Sequence, residues 1–441
     1  MMSSDTIFAL ASGALPSAVA IIRTSGSAAG LVFERLIGRP PPDRRDTTVA
    51  SLNDPETGAI LDQAVVLWFA GPRSFTGEDV LELQVTGSRA LVDRLSELIA
   101  AVPGCRPAMA GEFARRAFLA GKMDLTEVEG LADLIDAETR AQREQAMMVA
   151  GGQLRTAAED WRRQILALRA DVEALLDFAD AELDVDRLLT SQNDDAPSVR
   201  IQAICEDIET ALQSHERARR ISRGLTAAIV GPPNAGKSSL LNHLARSDAA
   251  IVSNVPGTTR DVIEVPIDLD GYRINVIDTA GLRATDDLVE AEGVRRARRA
   301  SDAADVVIRL LGNDDAAAMS EADGEDAILV RSKSDLRDWH SEGAVIDLSA
   351  KTGAGVADLR HALVARLDDL PDKTGATVAT VRQRDLLENA CHALRSASQA
   401  LDPVLMADDL RRAADDIGRL TGQISTEEML GQIFGRFCIG K

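Results

Sequence analysis

Residues 231–239, Gly-Pro-Pro-Asn-Ala-Gly-Lys-Ser-Ser, fit the pattern G-x-x-x-x-G-K-[ST] of a phosphate-cradling loop. Gly231 and Gly236 let the backbone curl until its N–H groups point inward. The preceding Thr226-Ala-Ala-Ile-Val230 is short, apolar and β-prone, and the following Ser239–Ala245 reads as a helix, the context such a loop needs. The helix N-terminus adds partial positive charge toward the phosphates. Asn234, Ala235, Gly236 and Ser239 then line the phosphates, Lys237 reaches the β- and γ-phosphates, and Ser238 holds Mg2+.

Four further segments follow in the order that a guanine-nucleotide domain requires. Gly257-Thr258-Thr259-Arg260-Asp261 offers a threonine, Thr259, for Mg2+ and the γ-phosphate. Asp278-Thr-Ala-Gly281 ends the apolar run Arg273–Ile277; Asp278 can approach Mg2+ through water, and the Gly281 N–H can sense the γ-phosphate. Ser332-Lys333-Ser334-Asp335 follows Ala327–Val330, and the Asp335 carboxylate can accept from N1–H and the exocyclic amine of guanine, a donor pair that adenine lacks. Ser349-Ala350-Lys351 closes the set after Ala344–Leu348. Any one of these segments is an ordinary surface loop; the ordered set reads as GTP binding.

Two departures bear on chemistry. The guanine motif usually begins with Asn or Thr, and here it begins with Ser332, whose hydroxyl lacks the reach of an asparagine amide. Leu282 stands where Ras-type proteins place the glutamine that orients the attacking water. Hydrolysis then needs another source of orientation and charge. Asn234 has a side-chain oxygen able to ligate a monovalent cation, and Glu290 is able to position water; on residue type alone they serve equally well as a loop stabiliser and a solvated helix charge.

The chain has 441 residues, enough for two to four domains, with 45% hydrophobic and 3% aromatic residues. Its 49 basic and 70 acidic residues leave a net charge of −21, which argues against a broad nucleic-acid-binding surface but leaves room for a local basic patch. Cys105, Cys205, Cys391 and Cys438 are scattered without a C-x-x-C pair, which argues against zinc and against a disulfide framework. The uncharged stretch Ile7–Ile22 follows an acidic n-region and is interrupted by Gly13 and Pro16, so it reads as loop and strand, not as an export signal. No segment is long and apolar enough to span a bilayer, and a cytoplasmic protein is expected.

Strand-like runs separated by Pro- and Gly-rich turns predict a mixed α+β domain over residues 1–120: Ala18–Ile22, Ala64–Phe69 and Val80–Val85. From residue 124 the period becomes helical. Thr126 with Glu129 reads as a capping box ahead of Leu125, Val128, Leu131, Leu134 and Ile135. Trp161, Ile165, Leu168, Val172, Leu175 and Leu176 make a second stripe, and one more helix is expected over roughly 198–222. After the G domain, Leu386, Leu387, Ala390 and Leu394, then Leu410, Ala413, Ile417 and Leu420, form two further stripes, and Ser425 with Glu428 reads as the cap of a last helix carrying Met429, Leu430, Ile433, Phe434 and Phe437. Amphipathic helices on both sides of the G domain each need a partner, which favours one helical bundle interrupted by an insertion. The expected division is 1–120, helical 121–222, a Ras-like parallel-sheet G domain over 223–375, and helical 376–441.

Three stretches beyond the G motifs carry a resemblance over essentially the whole chain: Gly71-Pro-Arg-Ser-Phe-Thr-Gly-Glu-Asp-Val-Leu-Glu-Leu-Gln84, Gly111–Leu125, and the terminal Cys438-Ile-Gly-Lys441. With them the chain resembles the bacterial tRNA modification GTPases of the MnmE (TrmE) family. The resemblance implies an N-terminal domain that binds a reduced folate, 5-formyl- or methylene-tetrahydrofolate, and drives formation of a homodimer. Arg23, Glu82, Lys122 and Lys441 match the folate contacts. It implies activation by K+, with Asn234, Ser253, Val255 and Thr258 matching the ligand positions, and Glu290 matching the residue that acts on water. It also implies a flavin-containing partner, MnmG, in a heterotetramer. Together they would add a carboxymethylaminomethyl or aminomethyl group at C5 of the wobble uridine of certain tRNAs, with Cys438 matching a cysteine that modification needs. Thr86-Gly87-Ser88 and Ala110 depart from the family's usual His-Gly-Gly and Pro. The rival reading is a ribosome-assembly GTPase of the Era type, which lacks the 77–79 block and the Cys-Ile-Gly-Lys end; a pure nucleotide switch is a third.

Overall fold

The computed structural model describes residues 5–177, 196–232, 234–247, 263–278, 304–311, 327–336, 345–368 and 376–440. They group into two compact units, Met1–Ala132 with Gly418–Lys441, and Asp133–Ile417.

The first unit is built on a six-stranded sheet. Its strands are β1 (Thr6–Leu10), β2 (Ser17–Ser25), β3 (Asp46–Asn53), β4 (Ile60–Phe69), β5 (Val80–Gly87) and β6 (Cys105–Pro107), in the order β3-β4-β5-β2-β1-β6. All neighbours are antiparallel except β1 and β6. Alternation along β2 sends Ala20 and Ile22 to one face, where they meet Val66, Trp68, Leu81 and Leu83 from the neighbouring strands. The apolar stripes of α1 (Ala29–Ile37) and α2 (Arg89–Ala100) close this core with Val32, Phe33, Leu36, Leu95 and Ile99. Each such side chain removed from water contributes about 1.5–3 kcal/mol. The same alternation leaves Arg23 and Glu82 half-buried on the opposite face.

A buried ionic network ties α3 (Glu112–Leu119) to the loop before β5. Arg116, only 7% exposed, donates to both Glu78 carboxylate oxygens at 3.0 and 3.1 Å, to Asp5 Oδ1 at 3.1 Å and to Glu112 Oε1 at 3.3 Å. Arg106 makes a two-pronged contact with Glu112 at 2.6 and 2.8 Å and also reaches Asp5. Ser25 Oγ donates to Glu78 at 2.7 Å and shares a hydrogen bond with Thr76. Taking out Arg116 or Glu112, each 7% exposed, costs about 3–5 kcal/mol, because the buried charge left behind loses the partner that offset its lost hydration. Gly77 fits here because its φ is +79° and a Cβ would lie 3.0 Å from that of Ala120.

The helix α4 (Leu125–Asp136) begins one residue before the cap expected at Thr126. Asp124 is the capping residue: its carboxylate accepts from Glu127 N–H at 2.8 Å, and the Glu127 carboxylate accepts from Asp124 N–H at 2.7 Å. Thr126 lies inside the first turn and donates to the Asp124 carboxylate.

In the second unit, α5 (Arg140–Ala150), α6 (Gln153–Asp177), α7 (Pro197–Leu212) and α8 (His215–Arg223) precede a second six-stranded sheet. The single helix expected over 198–222 is thus two. Buried Ser214 breaks it, its hydroxyl accepting from Val378 N–H at 3.1 Å and donating to Ala211 O at 2.7 Å. The sheet runs β12-β11-β10-β7-β9-β8, from β7 (Leu225–Val230), β8 (Ile263–Leu269), β9 (Tyr272–Asp278), β10 (Val306–Leu311), β11 (Ala327–Ser332) and β12 (Ile346–Leu348). All pairs are parallel except β8 with β9. Near-continuous apolar strands such as Leu225–Val230 suit a sheet covered on both faces. The helices α9 (Lys237–Ser247) and α10 (Val356–Asp368) contribute Leu240, Leu244, Leu359 and Leu363 to its core. Beyond it, α11 (Val381–Gln399) packs on α7. The stripe of α12 (Pro403–Thr421) is buried as expected at Leu410, Ala413, Ile417 and Leu420.

The last helix, α13 (Glu427–Phe434), is capped by Thr426, which accepts from Met429 N–H, and not by Ser425. It falls in the first unit, whereas the sequence carries residues 376–441 as one helical segment. The reason is apolar: Phe434 meets Phe118 of α3, with ring centroids 6.1 Å apart, and Phe437 stacks on Phe434.

The ionic network sets an acid limit. Burial alone raises the Asp5 and Glu112 carboxyls, but the Arg106 and Arg116 guanidiniums outweigh it and hold both below the ordinary 3.8 and 4.5. Their stabilising contribution is complete above those ordinary values and is lost as pH falls through the lowered folded ones. The thermal midpoint of the first unit should therefore be flat from neutral pH to about 5 and fall below about 4. In Glu112→Gln that fall should be shallower and start from a lower plateau, which calorimetry across pH 2–7 checks, on the order of the ordinary carboxylate range.

Candidate functional site

Parallel pairing brings the nucleotide motifs to one edge of the second unit's sheet. Ile229 pairs with Asp278, Arg309 with Val230, Leu311 with Arg331, and Ser332 with Leu348. The carboxyl ends of β7, β9, β11 and β12 thus lead directly into the phosphate loop, Asp278, Ser332–Asp335 and Ser349–Lys351, where open α/β sheets hold their ligands.

The loop between β7 and α9 has the conformation its glycines were expected to allow. Gly231 has φ +153° and Gly236 φ +93°; a Cβ on Gly231 would lie 2.6 Å from Leu310 O, so a side chain there collides with β10. Asn234 adopts φ +61°, a left-handed conformation that asparagine tolerates, and is exposed. Lys237 Nζ folds over the loop, donating to Gly231 O at 2.8 Å and Pro232 O at 2.9 Å. Its ammonium therefore sits at the mouth of the loop. Ala235 is buried, while Ser238 and Ser239 on the first turn of α9 are exposed.

Ser332 takes a role that its short side chain had not promised. Its hydroxyl donates to Ala235 O at 2.5 Å, tying the segment that follows β11 to the loop between β7 and α9. Lys333 follows with φ +62°, and Asp335 stands exposed in a short 3-10 turn, Ser334–Leu336. Fully buried Ser349 donates to Asp335 Oδ1 at 2.7 Å and accepts from Thr352 N–H, which aims the Asp335 carboxylate. Ala350 and Lys351 complete the adjoining turn. That Ser349 orients Asp335 was not legible in the sequence, where the two are 14 positions apart. Ser253, Val255, Thr258, Thr259, Gly281, Glu290 and Lys441, and the side chain of Asp278, lie outside the described residues.

In the first unit, Arg23 and Glu82 are directly opposed on β2 and β5, and Arg23 Nε donates to Glu82 Oε1 at 2.7 Å. The Arg23 guanidinium also stands 5.6 Å from the centroid of the Phe113 ring. Lys122 is exposed beside the 71–79 loop, its Cε 3.6 Å from where a Cβ on Gly77 would be. The C-terminal tail reaches the same sheet. Ile439 bridges to Ala110, and Gly440, with φ +99°, presses on Leu10 O. Leu10 pairs with Ile22 and Ala9 with Arg23, so the tail ends one strand from the Arg23–Glu82 pair. Cys438 is exposed next to that bridge.

Two families match the chain: the MnmE helical domain over residues 125–438, and the GTP-binding protein TrmE N-terminus over residues 6–122. The chain is 47% identical over 441 residues to a tRNA modification GTPase MnmE of Azorhizobium caulinodans, covering 100% of this chain and 99% of that one. It is 48% identical over 449 residues to the protein of that name from Bradyrhizobium sp. (strain BTAi1), with 99% of each covered. Among solved structures, the G domain of the T. maritima FeoB iron transporter aligns with 32% of this chain and 98% of its own at 26% identity and a TM-score of 0.25.

The tail's approach to β1 leaves no room for a side chain at residue 440: a Cβ would lie 2.1 Å from Leu10 O. Gly440→Ala should destabilise the docked tail by more than about 1 kcal/mol. Hydrogen exchange at the Ile439 and Ala110 amides should then accelerate about tenfold, the equivalent of roughly 1.4 kcal/mol. Unchanged exchange at both would show that the close approach does not hold the tail.

Proposed function

The chain belongs to the MnmE family of tRNA modification GTPases, and from that premise we propose how its residues divide the work. The protein is a GTP hydrolase that acts in tRNA modification. Lys237 and Ser238 hold the phosphates and Mg2+, with Thr259 as a further Mg2+ ligand, while Asp335 reads guanine and Lys333, Ser349, Ala350 and Lys351 frame the base. The ammonium at the loop mouth and the Ser349-aimed carboxylate support this assignment. With Leu282 in the position of the usual water-orienting glutamine, K+ would supply positive charge at the phosphates, held by Asn234 with Ser253, Val255 and Thr258; the exposed Asn234 side chain on a left-handed backbone fits a ligand role. Glu290 positions the attacking water.

One observation carries the modification half of the proposal: the tail docks on β1, one strand from Arg23 and Glu82. Arg23 and Glu82 offer donors and acceptors suited to a pterin, Lys122 and Lys441 suit folate carboxylates, and Cys438 would serve the modification chemistry from the docked tail. A reduced folate would supply the one-carbon unit. The partner is the flavin-containing protein MnmG, and the working form is a cytoplasmic homodimer joined through the N-terminal domain. Among the described residues no helix is long and apolar enough to cross a membrane. The packing of α7 on α11 supports one helical domain interrupted by the G domain.

GTP turnover should be faster in KCl than in NaCl at equal ionic strength by about 10²-fold, the order expected for one preorganised charge contact. Asn234→Ala should erase the difference; equal rates in the two salts would remove K+ from the mechanism.

Cys438→Ser keeps the shape of the tail but loses thiolate reactivity. It should leave GTP hydrolysis near the unsubstituted rate and abolish wobble-uridine modification, assayed by mass spectrometry with the flavoprotein, folate, GTP and K+ supplied. Normal modification would reduce Cys438 to a packing residue. Hydrolysis with no modification by the unsubstituted protein would favour a pure nucleotide switch.

A further inference from the structure

The seam between α7 and α11 holds a cluster that neither the GTPase cycle nor the Arg23–Glu82 face uses. Cys205 and Glu209 are one turn apart on α7 and therefore share a face. Cys391 lies on α11, 186 positions further along the chain. The two sulfurs and a Glu209 carboxylate oxygen all lie within 4.8 Å of one another. Both thiols are buried, each facing the other's backbone: Cys205 Sγ is 3.9 Å from Cys391 O, and Cys391 Sγ is 3.8 Å from Cys205 O. Cys205 Sγ is also 3.2 Å from Glu209 Oε1, and Arg395 donates to the same oxygen at 2.5 Å. A cavity of about 260 Å³ lined by Cys205, Glu206, Glu209, Arg395 and Ser398 opens beside the cluster.

We propose that Cys205, Glu209 and Cys391 bind a thiophilic divalent cation of the zinc type, clamping α7 to α11. Two buried cysteines in a helix seam often serve as small apolar residues. A carboxylate drawn onto one of them, with a second thiol in reach, supplies the two soft donors and one oxygen that Zn2+ accepts. Bond lengths of about 2.3 Å to sulfur and 2.0–2.2 Å to oxygen place tetrahedral ligand atoms roughly 3.5–4 Å apart. The observed set needs only side-chain adjustment to close on an ion. The cavity gives an entry path and room for water as a fourth ligand. Because α7 lies before the G-domain sheet in the chain and α11 after it, the ion would fasten together helices from the two sides of that sheet in sequence.

Co2+ serves as the probe. The reduced full-length protein, with its nucleotide site saturated by GDP and excess Mg2+, is titrated with Co2+ and followed by absorption. A single Co2+ should bind with a thiolate-to-cobalt charge-transfer band and tetrahedral d–d bands, and Zn2+ should displace it. Cys205→Ser and Cys391→Ser should each abolish the charge-transfer band, whereas Cys438→Ser should retain it. Glu209→Gln, at a half-exposed position that leaves the seam packed, should weaken Co2+ binding at least about tenfold, the scale of a perturbed ligand shell. The site is overturned if folded, reduced protein gives no thiolate band, or if the band survives in Cys205→Ser. Unchanged affinity in Glu209→Gln also overturns it, and this decides the matter should the serine variants fail to fold. A Cys205–Cys391 disulfide formed under mild oxidant, with no thiolate band on Co2+ addition to the reduced protein, assigns the pair to redox chemistry instead.

Discussion

Parallel pairing of β7 with β9 and β10 is the constraint from which the nucleotide site follows. Strands that run the same way end at the same edge, so the described segments from Gly231 to Lys351 meet there by backbone pairing before any side chain adds to it. The pairing also explains which substitutions the loop refuses. Gly231 is pressed against Leu310 O because β10 lies alongside β7, and the loop can turn only where no Cβ intrudes. What side chains add is aim: Ser332 holds the segment after β11 to Ala235, and Ser349 holds the Asp335 carboxylate. Both are hydroxyl contacts of ordinary strength, worth about 0.5–1.5 kcal/mol each, and they orient a frame that the sheet has already built.

The first unit solves a different problem. Its sheet packs one face against α1 and α2, while the other carries the half-buried Arg23–Glu82 pair beside Phe113 of α3, which is buried with Ile7 and Ala9 of β1. An arginine and a glutamate side by side on neighbouring strands are positioned to within the pleat, because strand register moves less than a loop does. The Arg116–Glu78 pair fixes the 71–79 loop beside them at the expense of burying charge, an arrangement that Arg106, Glu112, Asp5 and Ser25 offset with opposite charge and hydrogen bonds, although Arg116 Nε is left without a hydrogen-bond partner. The loop is therefore part of the scaffold of this face, which accounts for Gly77 and Glu78 in physical terms, while the Asp79 carboxylate accepts from Gly71 N–H and closes the loop on itself.

The C-terminal tail joins these themes. Phe434 and Phe437 anchor α13 by apolar contact, and two glycines, Gly111 and Gly440, then permit backbone to lie on backbone. A terminus is ordinarily the least ordered part of a chain. Here the anchoring precedes the last residues and carries Cys438 to an exposed position at a defined place on the sheet.

Local patterns in the sequence determined a good deal. The phosphate loop, the strands that feed each motif and the buried stripes at Leu387–Leu394 and Leu410–Leu420 were all legible, because each depends on spacing within a turn or a strand. Caps were placed a residue or two away, at Thr126 and Ser425 in place of Asp124 and Thr426, since several neighbouring polar residues compete for the same N–H groups and only the backbone geometry selects one. The break at Ser214 was hidden because its cause, Val378, arrives from 164 positions away. The return of the tail to the N-terminal sheet and the meeting of Cys205 with Cys391 were equally out of reach. Amphipathic stripes state that a face must be buried but not against what; only the packed tertiary structure chooses the partner, since apolar contact is non-directional and the choice rests on shape.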